Sequence, residues 1–341
     1  MNRKPLPMSK YIYLLGAGAS YGSRDEKGAG MARYSSGMPI MDEIGPCLDA
    51  YCTYLSPHIC FGDGKRYCSH PHVYDELKWL RSIAKDHPTI DTYAKKLYIH
   101  GPFDELERMK RALSIFFTLI QSRAKRDMRY DKFMEEVADE RGKLRSDVSI
   151  LSWNYDHQCE FAFHEYEMSK TSTSHQYMYA NISCKGYTSQ FIKYDDSNLV
   201  KLNGMAWFKP MHDRYLYEED DNTLDHFERL LSGGSFNADN FVSYAWEEDN
   251  DFIEKVLPLT SDTETLVIIG YSLPGVNRKV DSLLINNMKN LKSIVIQDYK
   301  CEELKDVVLD ILPAEKRQEL QGSIRCTRNV ASFFVPQSLL V

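Results

Sequence analysis

The 341-residue sequence has no C-x-x-C pair. Its eight cysteines fall singly along the chain, so a zinc ribbon built from paired thiols cannot be assembled. A disulfide framework is not indicated either, and such cysteine usage suits a reducing compartment. No apolar run reaches the ~18–20 residues that span a bilayer. Met1–Lys10 lacks the apolar stretch and small-residue cleavage site of a secretory signal. These absences predict a soluble, cytoplasmic chain with no membrane partner. Positive charge is in deficit too: 42 Lys and Arg against 49 Asp and Glu give a net charge of −7. Direct nucleic-acid binding, which needs clustered cations, is therefore not expected. The basic strip Arg123–Arg126 reads as one solvated helix face. Internal repeats and low-complexity tracts are missing. What remains is 43% hydrophobic and 12% aromatic, enough apolar material for one large α/β domain or two modest ones.

Short apolar runs alternate with helical patterns. Tyr11–Leu15, Val148–Trp153, Leu199–Leu202, Thr265–Ile269 and Ser293–Ile296 read as buried strands, with Val330–Val335 as a further one. Helical periodicity marks 41–55 (interrupted by Gly45 and Pro46), several segments between 73 and 145, the stretch from Asp156 through Glu167, 223–232, and Asn277–Leu291. Asp91 is the expected N-cap of one of them. The Ser/Thr/Tyr-rich 170–200 stretch predicts a hairpin or meander. The expected architecture is a doubly wound parallel α/β sheet, Rossmann-like, in a single domain spanning 1–341. It carries a helical insertion at about 60–145 and a smaller irregular one at about 165–260. Such sheets bind ligands at the carboxyl ends of their strands.

Four motifs sit at those ends. Gly16-Ala17-Gly18-Ala19-Ser20 follows the first strand; small residues there let a pyrophosphate approach backbone N–H groups, although a tight structural turn explains them as well. Tyr21 stands where the dehydrogenase fingerprint requires a third glycine, which argues against hydride transfer. Ser152-Trp153-Asn154-Tyr155-Asp156 puts a carboxamide and a carboxylate two residues apart, either facing one pocket or capping the next helix. Lys201-Leu202-Asn203-Gly204 contains an Asn-Gly turn. Gly270-Tyr271-Ser272-Leu273-Pro274 again combines a close-approach glycine with a hydroxyl.

Together with Ser36-Gly37-Met38-Pro39, these motifs resemble, in order and spacing, the sirtuin-like (silent information regulator-like) family. The likeness is to its divergent bacterial branch, many members of which hydrolyse NAD in anti-phage defence. The resemblance covers residues 10 to about 300. It implies NAD or an ADP-ribose-like nucleotide as ligand, with Ala17, Gly18 and Ser20 contacting the pyrophosphate and Gly16 and Pro39 also among the cofactor-binding residues. Asn154 and Asp156 would face the nicotinamide ribose, with Gly270, Ser272 and Leu273 on the phosphate and adenosine side. Gln297 or Asp298 would meet the adenosine ribose. Cleavage of the nicotinamide–ribose bond passes through an oxocarbenium-like centre, which positioning and electrostatics stabilise.

Two departures qualify that expectation. The missing C-x-x-C pairs disfavour a zinc-dependent deacetylase, and no metal is expected. Asn203 stands where the family has histidine, and a carboxamide cannot take a proton near neutrality. Asn154, Asp156 and Asn203 are thus the candidate catalytic set for a slow hydrolase. The rival is an inactive nucleotide-binding or sensing subunit, working in a homo-oligomer or with a separate sensor protein. His157 and His212 are alternative proton acceptors, although both read as helix or loop surface. His58, Cys60, Cys68, His70 and His72 form a separate cluster whose spacing fits no common zinc finger.

Overall fold

The computed structural model describes residues 9–24, 26–59, 66–140, 142–168, 182–185, 198–208, 220–233, 240–247 and 250–340. The chain divides into two compact units. Unit one comprises Met1–Ser20, Asp127–Gly204 and Ser243–Val341, and unit two comprises Tyr21–Arg126 and Met205–Val242. The chain therefore leaves unit one twice, after Ser20 and after Gly204.

Unit one is built on seven strands: β1 (Tyr11–Leu15), β2 (Val148–Ser152), β3 (Ile182–Cys184), β4 (Leu199–Lys201), β5 (Thr265–Ile269), β6 (Ser293–Gln297) and β7 (Ile324–Thr327). Their order is β7-β6-β5-β1-β2-β4-β3, and every pairing is parallel. β2 is buried along its whole length, as expected of a strand with helices on both faces. Its helices are α1 (Met128–Val137), α2 (Gln158–Met168), α3 (Asn250–Thr260), α4 (Arg278–Asn287), α5 (Cys301–Ile311) and α6 (Ala314–Leu320). Side chains alternate across the sheet. Ile12, Leu14, Leu151, Leu266, Ile268, Ile294 and Ile296 share one core with Leu284 of α4 and Val308 of α5. Tyr13 points the other way, onto Phe133 of α1, with ring centroids 4.7 Å apart. This is a Rossmann-like α/β arrangement. From β1 the chain moves to β2 on one side and later returns to β5 on the other. The crossover direction thus reverses between β1 and β5, the place where such sheets receive ligands.

Unit two is largely helical: Met41–Leu55, Pro71–Asp86, Ile90–His100, Phe103–Arg123 and Asp220–Ser232. Arg24 anchors its first segment, pairing with Glu43 at 2.7 Å and donating to the carbonyls of Tyr21, Ser36 and Met38. Among the described residues of both units, no helix is long and apolar enough to cross a membrane.

Several local expectations are corrected. The helix at 41–55 runs unbroken through Pro46. Thr89, not Asp91, is the N-cap, its Oγ1 accepting from Thr92 N–H at 3.0 Å. β3 and β4 pair in parallel, so they do not form a hairpin; most of 170–197 lies outside the described residues. The last strand is Ile324–Thr327, and 330–335 is irregular. There the Gln297 carboxamide, not a strand partner, satisfies the chain. Its Nε2 donates to Asn329 O and Ser332 O, and its Oε1 accepts from Phe334 N–H.

Candidate functional site

The carboxyl ends of β1, β2, β4 and β5 bring four of the sequence motifs into unit one. Gly16 N–H donates to Ile269 O (3.0 Å) and Gly18 N–H to Gly270 O (2.9 Å), so the turns leaving β1 and β5 lie backbone to backbone. A Cβ on Gly18 would meet Gly270 Cα at 2.8 Å, and one on Gly16 would meet Gly270 O at 2.6 Å. Gly270 has φ +56, and a Cβ there would come within 2.3 Å of Ala19 N. These three glycines are therefore required by the contact of two turns, whatever ligand lies beyond them. Ala17 is exposed and Gly18 half-buried.

Ser20 is fully buried, and its hydroxyl has three partners: Tyr130 Oη (2.9 Å), Asp156 Oδ1 (3.0 Å) and Asn154 Nδ2 (3.1 Å). One donor and two acceptor sites are all a hydroxyl has. The Ser20 side chain is thus spent inside the fold and is not available to a pyrophosphate. Asn154 donates its second N–H to Gly16 O at 2.9 Å. Asp156 Oδ1 also accepts from Gln158 N–H at the start of α2 (3.0 Å), so the capping reading holds for Asp156 alongside any other role. No hydrogen bond among the described residues reaches Asn154 Oδ1 or Asp156 Oδ2.

Behind this layer lies a buried charge cluster that the sequence reading assigned no role. Lys201, the last residue of β4, is 1% exposed. Its Nζ bonds Asp156 O at 2.6 Å and Glu160 Oε1 at 2.8 Å, with Glu160 fully buried. The ammonium thus pairs with one carboxylate, that of Glu160, and with the backbone carbonyl of Asp156. Burial raises the Asp156 carboxyl above its usual range, against the pull of Lys201 and the Gln158 N–H. Burial opposes the Lys201 charge, but Glu160 and Asp156 outweigh it and hold the ammonium above the ordinary lysine value. A lysine inside an apolar strand was the available signal, because buried ammonium groups require a partner.

Asn203 sits two residues past Lys201, which pairs with Ser152; Leu202 N–H continues that register by donating to Ser152 O at 2.8 Å. Asn203 and Asn154 therefore leave neighbouring strand ends at the same level. Gly204 follows with φ +74, making the Asn-Gly turn, and Ser243 N–H donates to Asn203 O at 2.8 Å. The Asn203 side chain is 7% exposed, and its Oδ1 is buried without a hydrogen-bond partner.

After β5, Ser272 is exposed. Leu273 has φ 51, the one positive φ at a non-glycine among the described residues. A left-handed leucine costs roughly 1–2 kcal/mol, and such strain concentrates at ligand-handling turns. Tyr271 donates its hydroxyl to Asp281 Oδ2 at 2.8 Å and accepts from Asn277 Nδ2 at 3.0 Å. Burial pushes Asp281 up to about 7. The chain matches no protein-family model, and no curated protein is similar to it.

The remaining expected residues are scattered. Gln297 is buried and fully engaged by the 329–334 segment, which leaves its amide unavailable to a ribose. Asp298 is half-buried, one oxygen capping Lys300 N–H at 2.8 Å. Pro39 is buried in unit two. His157 is not on a surface: it is 1% exposed, beside the Phe161 ring. His212 and Cys60 lie outside the described residues, as does the His58 side chain. Of the rest of that cluster, Cys68 Sγ bonds Leu55 O. His70 and His72 face Asp225 and Glu228 at 3.0 and 2.6 Å, each imidazole paired with a carboxylate.

Proposed function

We propose that unit one binds NAD or a related ADP-ribose-bearing nucleotide across its strand ends and hydrolyses the nicotinamide–ribose bond slowly. The observation that carries this reading is the buried, unpartnered Asn203 Oδ1, at the end of the strand paired with the one that leads to Asn154 and Asp156. A buried carbonyl oxygen without a donor costs about 1–3 kcal/mol, and a sugar hydroxyl is a donor that repays it. The sirtuin-like motif order supports the same ligand, with the Gly16–Ser20 and Gly270–Leu273 turns flanking the switch point of the parallel sheet.

In this reading NAD is the substrate, and the chain's residues position and polarise it. Asn154, with both N–H donors fixed on Gly16 and Ser20, keeps Oδ1 for a hydroxyl or a water. The Asp156 carboxyl, with the Glu160–Lys201 ion pair behind it, supplies negative potential where the ribose develops positive charge. The saturated Ser20 holds Asn154 and Asp156 in place. Any pyrophosphate contact falls to backbone N–H groups at the exposed Ala17 and to the free hydroxyl of Ser272. A second reading, binding without turnover, is favoured by one feature: Asn203 offers an amide where a proton acceptor is needed.

The test is nicotinamide release together with NAD- and ADP-ribose-induced shifts in melting temperature. General-base help contributes about 10²–10⁴-fold, so the parent should turn over slowly and Asn203→His faster. A thermal shift with no turnover in either protein selects the binding reading. No shift with either nucleotide removes both. Asn154→Ala also frees Gly16 O and Ser20, so its loss of turnover counts only if its melting temperature is retained.

A further inference from the structure

A second group of ligating side chains lies at the β6–β7 edge of the unit-one sheet, next to Asp298. α5 opens with Cys301 and Glu302, and Cys326 lies in β7. The two Sγ atoms and a Glu302 carboxylate oxygen all fall within 4.8 Å of one another, the one such group of three among the described residues. Their framework is fixed by backbone. Cys326 is in register with Ile296 of β6. Asp298 N–H donates to Thr327 O at 3.1 Å, and Asp298 O accepts from Cys301 N–H at 3.3 Å. The turn that launches α5 is thereby tied to the strand that carries the second thiol. Cys301 is buried, Cys326 half-buried and Glu302 exposed, so the group is reached from solvent on the Glu302 side.

Two sulfurs and one oxygen suit a soft or borderline cation. Calcium and magnesium prefer all-oxygen shells, whereas thiolates select zinc-like and copper(I)-like ions. At zinc–sulfur distances near 2.3 Å, tetrahedral thiolates stand about 3.8 Å apart, a spacing open to thiols already this close. We propose that Cys301, Glu302 and Cys326 form a three-ligand site for a thiophilic d10 cation of the zinc class, with a fourth position open to water. As the cation binds, each thiol releases its proton to solvent and each sulfur donates a lone pair, with no change of oxidation state. This is not the paired-thiol ribbon that the sequence excludes: its ligands come from a helix start and a distant strand. It also departs from the expectation of a metal-free chain.

Full-length protein, reduced and freed of metal by a chelator, is titrated with Cd2+ and followed by thiolate-to-cadmium charge-transfer absorption. One equivalent should bind, and the band should fall strongly in Cys326→Ser and persist in Cys68→Ser. Glu302→Gln, at an exposed position that leaves packing alone, should keep the band and bind more weakly. Changes outside the ligand shell already cost 10–100-fold, so losing a direct ligand should cost at least about tenfold. The site is overturned if the parent shows no band or if Cys68→Ser abolishes it. An undiminished band in Cys326→Ser or an unchanged affinity in Glu302→Gln overturns it equally.

Discussion

Replacing Asp281 with asparagine should make the protein more stable at alkaline pH than at acid pH, relative to the parent. Asp281 lies under the Tyr271 hydroxyl, and burial raises its carboxyl from 3.8 to about 7. A raised folded-state pKa means that the stability carried by the protonated form is complete below the unfolded value. It is then lost as pH rises through the folded one. At about pH 5.5 the folded group is still protonated while the unfolded one is already ionised, which costs about 2 kcal/mol at 1.36 kcal/mol per unit. By about pH 8.5 the full displacement applies, about 4 kcal/mol. Asparagine does not titrate, and it keeps an oxygen for the Tyr271 hydroxyl, so the parent–variant difference should widen by about 2 kcal/mol across that range. Packing changes caused by the substitution are independent of pH and cancel in the comparison. Urea denaturation of both proteins at a series of pH values measures this directly. A difference that stays flat from pH 5.5 to 8.5 would show that Asp281 titrates like an exposed carboxylate, and the reasoning fails.

The glycine contacts and the buried charges give two further tests. Gly18→Ala and Gly270→Ala force a methyl against the facing turn and should each lose about 1–3 kcal/mol or more, Gly270→Ala the most because of its φ of +56. Gly275→Ala, with nothing within 4 Å, should be close to neutral; equal melting temperatures for all three would refute the close-contact argument. Lys201→Met strands Glu160 in the interior and should cost about 3–5 kcal/mol. The double variant Lys201→Met/Glu160→Leu should recover most of that loss in urea midpoint, and no recovery would mean the pair is not the source.

The strands were legible because a strand buried on both faces must be apolar throughout: Tyr11–Leu15 and Thr265–Ile269 appear where the sequence places them. Ile324–Thr327 was not legible, since its alternation of buried and open residues is weak and Val330–Val335 is the more apolar run. Only the three-dimensional placement of Gln297 explains why that run stays irregular. In the candidate site, the two-residue spacing of Asn154 and Asp156 brings both side chains onto Ser20. The saturation of Ser20 could not be read, because it depends on Tyr130, a residue 110 positions away. The metal-ligand group at Cys301 and Cys326 was hidden for the same reason.

The two excursions of the chain out of unit one bear on how the protein emerges from a ribosome. β1 is the middle strand of the sheet, yet its partners begin at Val148 and Thr265. When Tyr11–Leu15 is first exposed, nothing exists for it to pair with. The helices between residues 41 and 123, whose contacts are mostly local, can form during that wait. The sheet can close only after β5 has been synthesised, so its apolar first strand waits for residues 148–152 to gain one neighbour and for residues 265–269 to gain the other. Pairings of such long sequence separation form late and slowly, and an unpaired apolar strand is a point of aggregation. Expression at lower temperature, or with a holdase chaperone, is therefore expected to raise the soluble yield of this chain.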